Sequence, residues 1–186
     1  MHIWCGNSYF DEDGCVIKND VPSQNLSYVY NSNENIKFNN SKSFSFELIL
    51  KKNSNLGDIL FGTYSSGGIT NEMWNLNGKN NAINIRFLGC RFPGGGFYEV
   101  DLSKPTSISC TYDSENTKLK YYINNILVQE FDSVGYSNEY GFTLGMRKGA
   151  SSANNIKIYA VRYYDRNLNE NEVSYNYQID KQKYGV

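Results

Sequence analysis

Apolar and polar residues alternate along most of this chain, and clusters of Asn, Asp, Gly and Ser close each alternating run. That pattern has the period of a β-strand, whose successive side chains point to opposite faces of a sheet. In Phe44-Ser45-Phe46-Glu47-Leu48-Ile49-Leu50, the residues Phe44, Phe46, Leu48 and Leu50 share one face, and residues 51–55 end the run. Further strands are predicted over residues 58–64, 81–88, 106–112, 118–124, 126–131, 140–146 and 156–164. Asn124-Asn125 suits the two-residue turn of a hairpin. Ser65-Ser66-Gly67-Gly68 turns the chain, and Pro93-Gly94-Gly95-Gly96 forms a loop where a ligand can approach the backbone. About ten or more short strands at regular spacing predict an all-β sandwich or barrel.

The end of the chain departs from this pattern. Asn169-Glu170-Asn171-Glu172 places a capping residue three positions before a glutamate. This capping box predicts a short helix over roughly 170–178. Val173 and Tyr177 fall at i and i+4 and are expected to dock on the sandwich.

The 186 residues fit one domain with a real core, taken as 1–186 with its regular part at about 36–182. The formal net charge of -1 gives no field to attract phosphates or anionic lipid, so nucleic acid is not an expected partner. No run of 18 apolar residues exists, so no membrane-spanning helix is expected. Met1-His2-Ile3-Trp4-Cys5-Gly6 lacks the basic region and long apolar stretch of a signal peptide. Export would then rely on a longer parent chain or on phage lysis.

The 26 asparagines suit tight connections between short strands. The 16 tyrosines suit half-buried sheet faces, and each also offers a ring to a sugar. None of the four cysteines, Cys5, Cys15, Cys90 and Cys110, forms a Cys-x-x-Cys pair, and His2 is the single histidine. A structural zinc site is therefore not expected; no cofactor is indicated, with calcium left open, since separate loops can assemble a calcium site. Cys110 lies in an alternating run and reads as a buried thiol. Cys5 and Cys15 are close enough in sequence to close a short loop, with the reduced state as the default.

Several segments, in order, resemble bacterial laminin G-like domains of the concanavalin A-like lectin/glucanase superfamily. Phe44 to Lys51 is similar to their early strand, and Ile108-Ser109-Cys110-Thr111-Tyr112-Asp113 to a strand ending in Thr-Tyr-Asp. Tyr122-Ile123-Asn124-Asn125-Ile126-Leu127-Val128 resembles their hairpin, with Asn125 where glycine is usual, and Leu144-Gly145 resembles a later strand. Val161-Arg162-Tyr163-Tyr164-Asp165-Arg166-Asn167-Leu168-Asn169-Glu170-Asn171-Glu172-Val173 resembles the closing strand and capped helix, continued by residues 176–181. The resemblance implies a jelly-roll β-sandwich of two antiparallel sheets with a short C-terminal helix. It also implies a carbohydrate-binding or adhesive module of a bacterial surface protein or a phage tail or virion protein, working outside the cell. Glu47 and Arg162 match family positions and are expected to form an internal ion pair between neighbouring strands.

Catalysis is not the expected role. Glucanases of this superfamily need paired carboxylates, about 5 Å apart in a retaining enzyme. Glu99-Val100-Asp101 begins such a motif, but Ser103 and Lys104 stand where a second glutamate is required. Asp11-Glu12-Asp13-Gly14 invites a calcium reading, lacks the further ligands of a recognised loop, and reads as a solvated acidic turn. For a glycan, the candidates are aromatic and guanidinium residues in or beside the connections between the middle strands: Trp74, Tyr64, Arg86, Arg91 and Tyr98, with Phe97 nearby. Trp74, set among amides, serves equally as a sugar platform or as a cover for one end of the core. The alternative role is structural, a decoration or assembly domain contacting other virion or surface proteins.

Overall fold

The computed structural model describes residues 2–4, 9–17, 28–31, 36–52, 59–65, 68–77, 82–87, 90–91, 98–132, 138–144 and 155–186. These residues form sixteen strands and one helix, and every strand ladder is antiparallel. Strands β1 (His2–Trp4), β4 (Tyr28–Asn31), β15 (Asn138–Leu144), β7 (Ile59–Ser65), β8 (Gly68–Asn77), β9 (Ala82–Phe87) and β10 (Cys90–Arg91) run in that order through a nine-stranded sheet. In the same sheet β5 (Lys37–Asn39) pairs with β15, and β11 (Tyr98–Glu99) pairs with β9. The second sheet has seven strands in the order β14 (Ile126–Phe131), β13 (Lys118–Ile123), β12 (Thr106–Asp113), β6 (Phe44–Lys52), β16 (Ile156–Tyr164), β3 (Cys15–Ile17) and β2 (Tyr9–Phe10). The result is the expected jelly-roll β-sandwich.

The alternation read in the sequence is the alternation that builds the core. Phe44, Phe46, Leu48 and Leu50 of β6 lie opposite Tyr112, Cys110, Ile108 and Thr106 of β12, and all are buried. Leu119, Tyr121 and Ile123 continue this row on β13. Phe38, Ile83, Phe142 and Leu144 meet them from the nine-stranded sheet. Phe38 stands edge-on to Phe46 at 5.7 Å, and Phe46 to Phe142 at 5.6 Å, so aromatic rings interlock across the two sheets. Each such ring removed from water contributes about 1.5–3 kcal/mol. Cys110 is buried as expected. Cys15 is also buried, while Cys5 lies outside the described residues.

Strand β16 changes phase part of the way along. A register shift between Ile158 and Ala160 inserts one extra residue against β6. Ile156 and Ile158 face the core before the bulge, and Val161 and Tyr163 after it. The bulge therefore turns Arg162 and Tyr164 to the outer face, directly opposite Glu47 and Ser45. At the β13–β14 hairpin, Asn124 and Asn125 adopt φ of 48° and 66°, the two positive values that a tight I′ turn requires.

Helix α1 (Glu170–Tyr184) covers the outer face of the seven-stranded sheet. It begins where predicted. Asn169 accepts from the Glu172 backbone N–H, and Glu172 accepts from the Asn169 N–H, closing the capping box. It runs beyond the predicted end at 178 and stops at Gly185, whose φ of 72° is the left-handed value favoured by glycine. The extension has a physical cause. Asp180 is buried and receives a two-bonded Arg162, at 2.8 and 2.6 Å, and the Tyr184 ring meets Tyr159 at 5.4 Å. Val173 docks on Tyr122 and Leu168 as expected, and Tyr177 is half-buried.

Between sheet and helix lies a seam of buried polar groups. Glu47 accepts from Asn176 at 3.0 Å, from Arg162 at 3.4 Å and from the Tyr164 hydroxyl at 3.3 Å. The expected Glu47–Arg162 ion pair is present, and Asp180 joins it as an unforeseen third member. Burial is the largest influence on Glu47 and pushes its carboxyl above the usual range, against the opposing pull of Asn176, Arg162 and Tyr164.

Three outcomes are expected from this framework. A Cβ on Gly14 would lie 2.1 Å from the Ile158 carbonyl oxygen, so Gly14→Ala should destabilise by about 1–3 kcal/mol, measured by urea unfolding. Arg162→Ala strands Glu47 and Asp180 in a buried setting. It should cost about 3 kcal/mol, the lower end of the range for broken buried pairs, because Arg162 itself is 30% exposed. Glu47→Gln isolates one proton. Between the ordinary value of 4.5 and the raised folded value, the native state holds a proton that the unfolded chain has released. Wild-type stability relative to Glu47→Gln should therefore fall as pH rises from 4.5 through that window. A rise would show that Arg162, not burial, governs Glu47.

Candidate functional site

The sequence-predicted ligand residues are dispersed over the nine-stranded sheet. Trp74 lies inside the ten-residue strand β8, opposite Phe61 and Ile85, rather than in a connection. Its register row is that of Leu76 and Ile83, and Ile83 is a core residue. Tyr98 pairs directly with Ile83; it is half-buried and packs on the core. Arg86 and Arg91 are direct cross-strand partners, in the alternate row of β9. Tyr64 pairs with Tyr140 and Ile69 beside a register shift. The side chains of Trp74, Tyr64, Arg86 and Arg91 lie outside the described residues, as do Phe97 and the loop 93–96.

Both acidic motifs are engaged in turns. Asp101 accepts from the Ser103 N–H at 3.1 Å and from its hydroxyl, with Lys104 at 3.6 Å. The Ser103 hydrogen bonds hold its carboxyl below the usual range, so it stays ionised and is no proton donor near neutrality. Glu99 is exposed on β11. Asp11 accepts from the Asp13 and Gly14 N–H groups at 3.1 and 3.0 Å and takes Lys157 Nζ at 2.7 Å on its other oxygen. The acidic turn is exposed, as expected, but it is also tied to β16 by an ion pair. Among the described residues, no cluster of three or more potential ligands could hold a metal ion.

A further site is a groove that the sequence does not single out. The chain leaving β16 is fixed to β6 by Ser45, which donates to the Arg166 carbonyl at 3.0 Å and accepts from the Leu168 N–H at 2.8 Å. Between this segment and α1 opens a cavity of about 500 Å³. Tyr164, Leu168, Asn171, Tyr175 and the Arg166–Glu172 pair line it. Arg166 engages Glu172 through both nitrogens, at 2.9 and 2.8 Å. That pairing holds the Glu172 carboxyl below the usual range and raises Arg166, so the pair stays charged and mutually neutralised. Tyr175 is 68% exposed beside it. An exposed ring, an amide and a planar ion pair can bind a polar ligand with an apolar face.

The sequence carries the capping role of Glu172 but no sign of the groove, because its walls come from a turn and a helix face without apolar periodicity.

No protein-family model matches the chain, and no curated protein matches it. Solved structures do. A Trypanosoma rangeli sialidase in complex with sialic acid matches with a TM-score of 0.69 at 13% identity, over 97% of this chain and 30% of that one. The botulinum neurotoxin type G receptor binding domain matches with a TM-score of 0.63 at 15% identity, over 94% of this chain and 45% of that one. The serotype D binding domain gives 0.62 at 12% identity, over 95% of this chain and 46% of that one. This chain thus spans less than half the length of these neighbours, and at such identities the likeness establishes the shared β-sandwich fold.

Proposed function

We propose that this chain is a non-catalytic carbohydrate-binding or adhesion module of the concanavalin A-like, laminin G-like type. In this reading residues 1–186 form one domain of a bacterial surface protein or a phage tail or virion protein, acting outside the cell. The observation that carries it is the pattern of coverage: nearly all of this chain matches a minor part of a sialidase and of toxin receptor-binding domains. A unit of this size that recurs inside larger proteins is suited to delivering or anchoring them. Function still resides in a site rather than in the fold. The engagement of Asp101 in its own turn supports a role without glycoside hydrolysis. No helix among the described residues is long and apolar enough to cross a membrane. Trp74, Tyr64, Arg86, Arg91 and Tyr98 are the proposed contacts on the nine-stranded sheet; Arg86 and Arg91 lie in the alternate row from Trp74 and Tyr98 and supply planar donors to sugar oxygens from that face.

One observation favours the assembly role as the second reading. Ile126 and Leu127 are 59% and 43% exposed on β14, which ends the seven-stranded sheet. An apolar edge strand of this kind can pair with another chain.

A glycan array with calcium and with chelator, using the wild type and Trp74→Ala, tests the choice. Binding by the wild type that is lost in the variant is the expected result. Silence in both conditions, with self-association that Leu127→Lys abolishes, would replace the glycan reading with the assembly one.

A further inference from the structure

We propose that the groove beside α1 is a second saccharide site, which takes a neutral sugar by stacking it on Tyr175 and hydrogen-bonding it to Asn171 and the Arg166–Glu172 pair. The proposal rests on the glycan reading and adds to it a place and a ligand class. The groove lies on the outer side of the seven-stranded sheet, on the other sheet from Trp74 and its neighbours.

Size is the first argument. A cavity of about 500 Å³ falls within the range of small-molecule sites, roughly 300–1,000 Å³. The second is the chemistry of the walls. Tyr175 exposes 68% of its surface on a helix whose packing relies on Val173 and Asp180 instead. Its ring is therefore available to the C–H face of a sugar, while Tyr164 and Leu168 supply apolar wall behind it. Asn171 is exposed and offers both a donor and an acceptor.

Charge selects the ligand class. Arg166 and Glu172 satisfy each other through two bonds, leaving the groove with no net charge to attract an anion. Their outward edges still present donors and acceptors at fixed spacing, which suits neighbouring hydroxyl groups better than a carboxylate or phosphate. Rigidity is the last argument. The capping box fixes Glu172, and Ser45 fixes the backbone on either side of Asn167. A ligand would find the walls already in place, and preorganisation lowers the cost of binding.

The test uses the whole ¹⁵N-labelled chain and four probes at millimolar concentration: cellobiose, maltose, lactose and sialyllactose. At least one neutral probe should shift the Asn171 side-chain amide and the Arg166 Nε resonance. Tyr175→Ala, which alters an exposed side chain, should weaken that probe about tenfold. Sialyllactose should bind no better than lactose. Shifts confined to the nine-stranded sheet, or an unaltered affinity in Tyr175→Ala, would overturn the groove and leave the glycan reading standing. A clear preference for sialyllactose would overturn the neutral ligand class. No shift with any probe, together with a silent array, would overturn both.

Discussion

Strand β6 is buried on both faces from Phe44 to Leu50. Its inner residues enter the core, and its outer residues Ser45, Glu47 and Ile49 are covered as well. A buried carboxylate and hydroxyl must be given partners, because an unsatisfied polar group in such a place costs about 1–3 kcal/mol or more. The rest of the architecture answers this demand. Ser45 is satisfied by the backbone of the β16–α1 connection, Glu47 by Arg162, Tyr164 and Asn176, and Arg162 in turn by Asp180. Buried ion pairs of this kind often add no more net stability than well-packed apolar residues of similar volume. What the seam supplies is uniqueness. Glu47 and Arg162 are direct cross-strand partners, so a slip of one residue would drive Arg162 into the core.

Most of the seven-stranded sheet is legible in the sequence. Strands β12, β13 and β14, the Asn124-Asn125 turn and the capping box all stand close to where alternation and local chemistry place them. These features are encoded within a few residues of where they act. Strand β8 is not legible, because Asn71, Glu72, Asn75 and Asn77 hide its period, and pairing to both β7 and β9 makes it a strand. The last turns of α1 escape the sequence reading for a related reason. Residues 179–184 carry no apolar stripe, and they are held by Arg162 and Tyr159, which belong to another element. The Glu47–Arg162 pair follows from family positions. Asp180 does not, since nothing within its own segment marks it for burial.

The two candidate ligand surfaces have different origins. The residues on the nine-stranded sheet come from five successive strands, β7 to β11. The groove comes from a single short stretch, Tyr164 to Asn176, which runs from the end of β16 into α1 and is braced on β6. A module with a site on each sheet would hold two glycan chains at once, or two parts of one chain. Linkage of weak sites in this way raises overall affinity without any new contact.

The position of β16 also bears on when the fold can form. This strand lies between β6 and β3, and the helix that follows it seals β6 from outside. Until residues 156–184 have left the ribosome, β6 lacks a neighbour along one edge and a cover over Glu47. Strands β12, β13 and β14 can pair early, because their connections are short. During synthesis the edge of β6 that pairs with β16 therefore stays open until residues 156–164 emerge, and an unpaired strand edge of this kind favours aggregation.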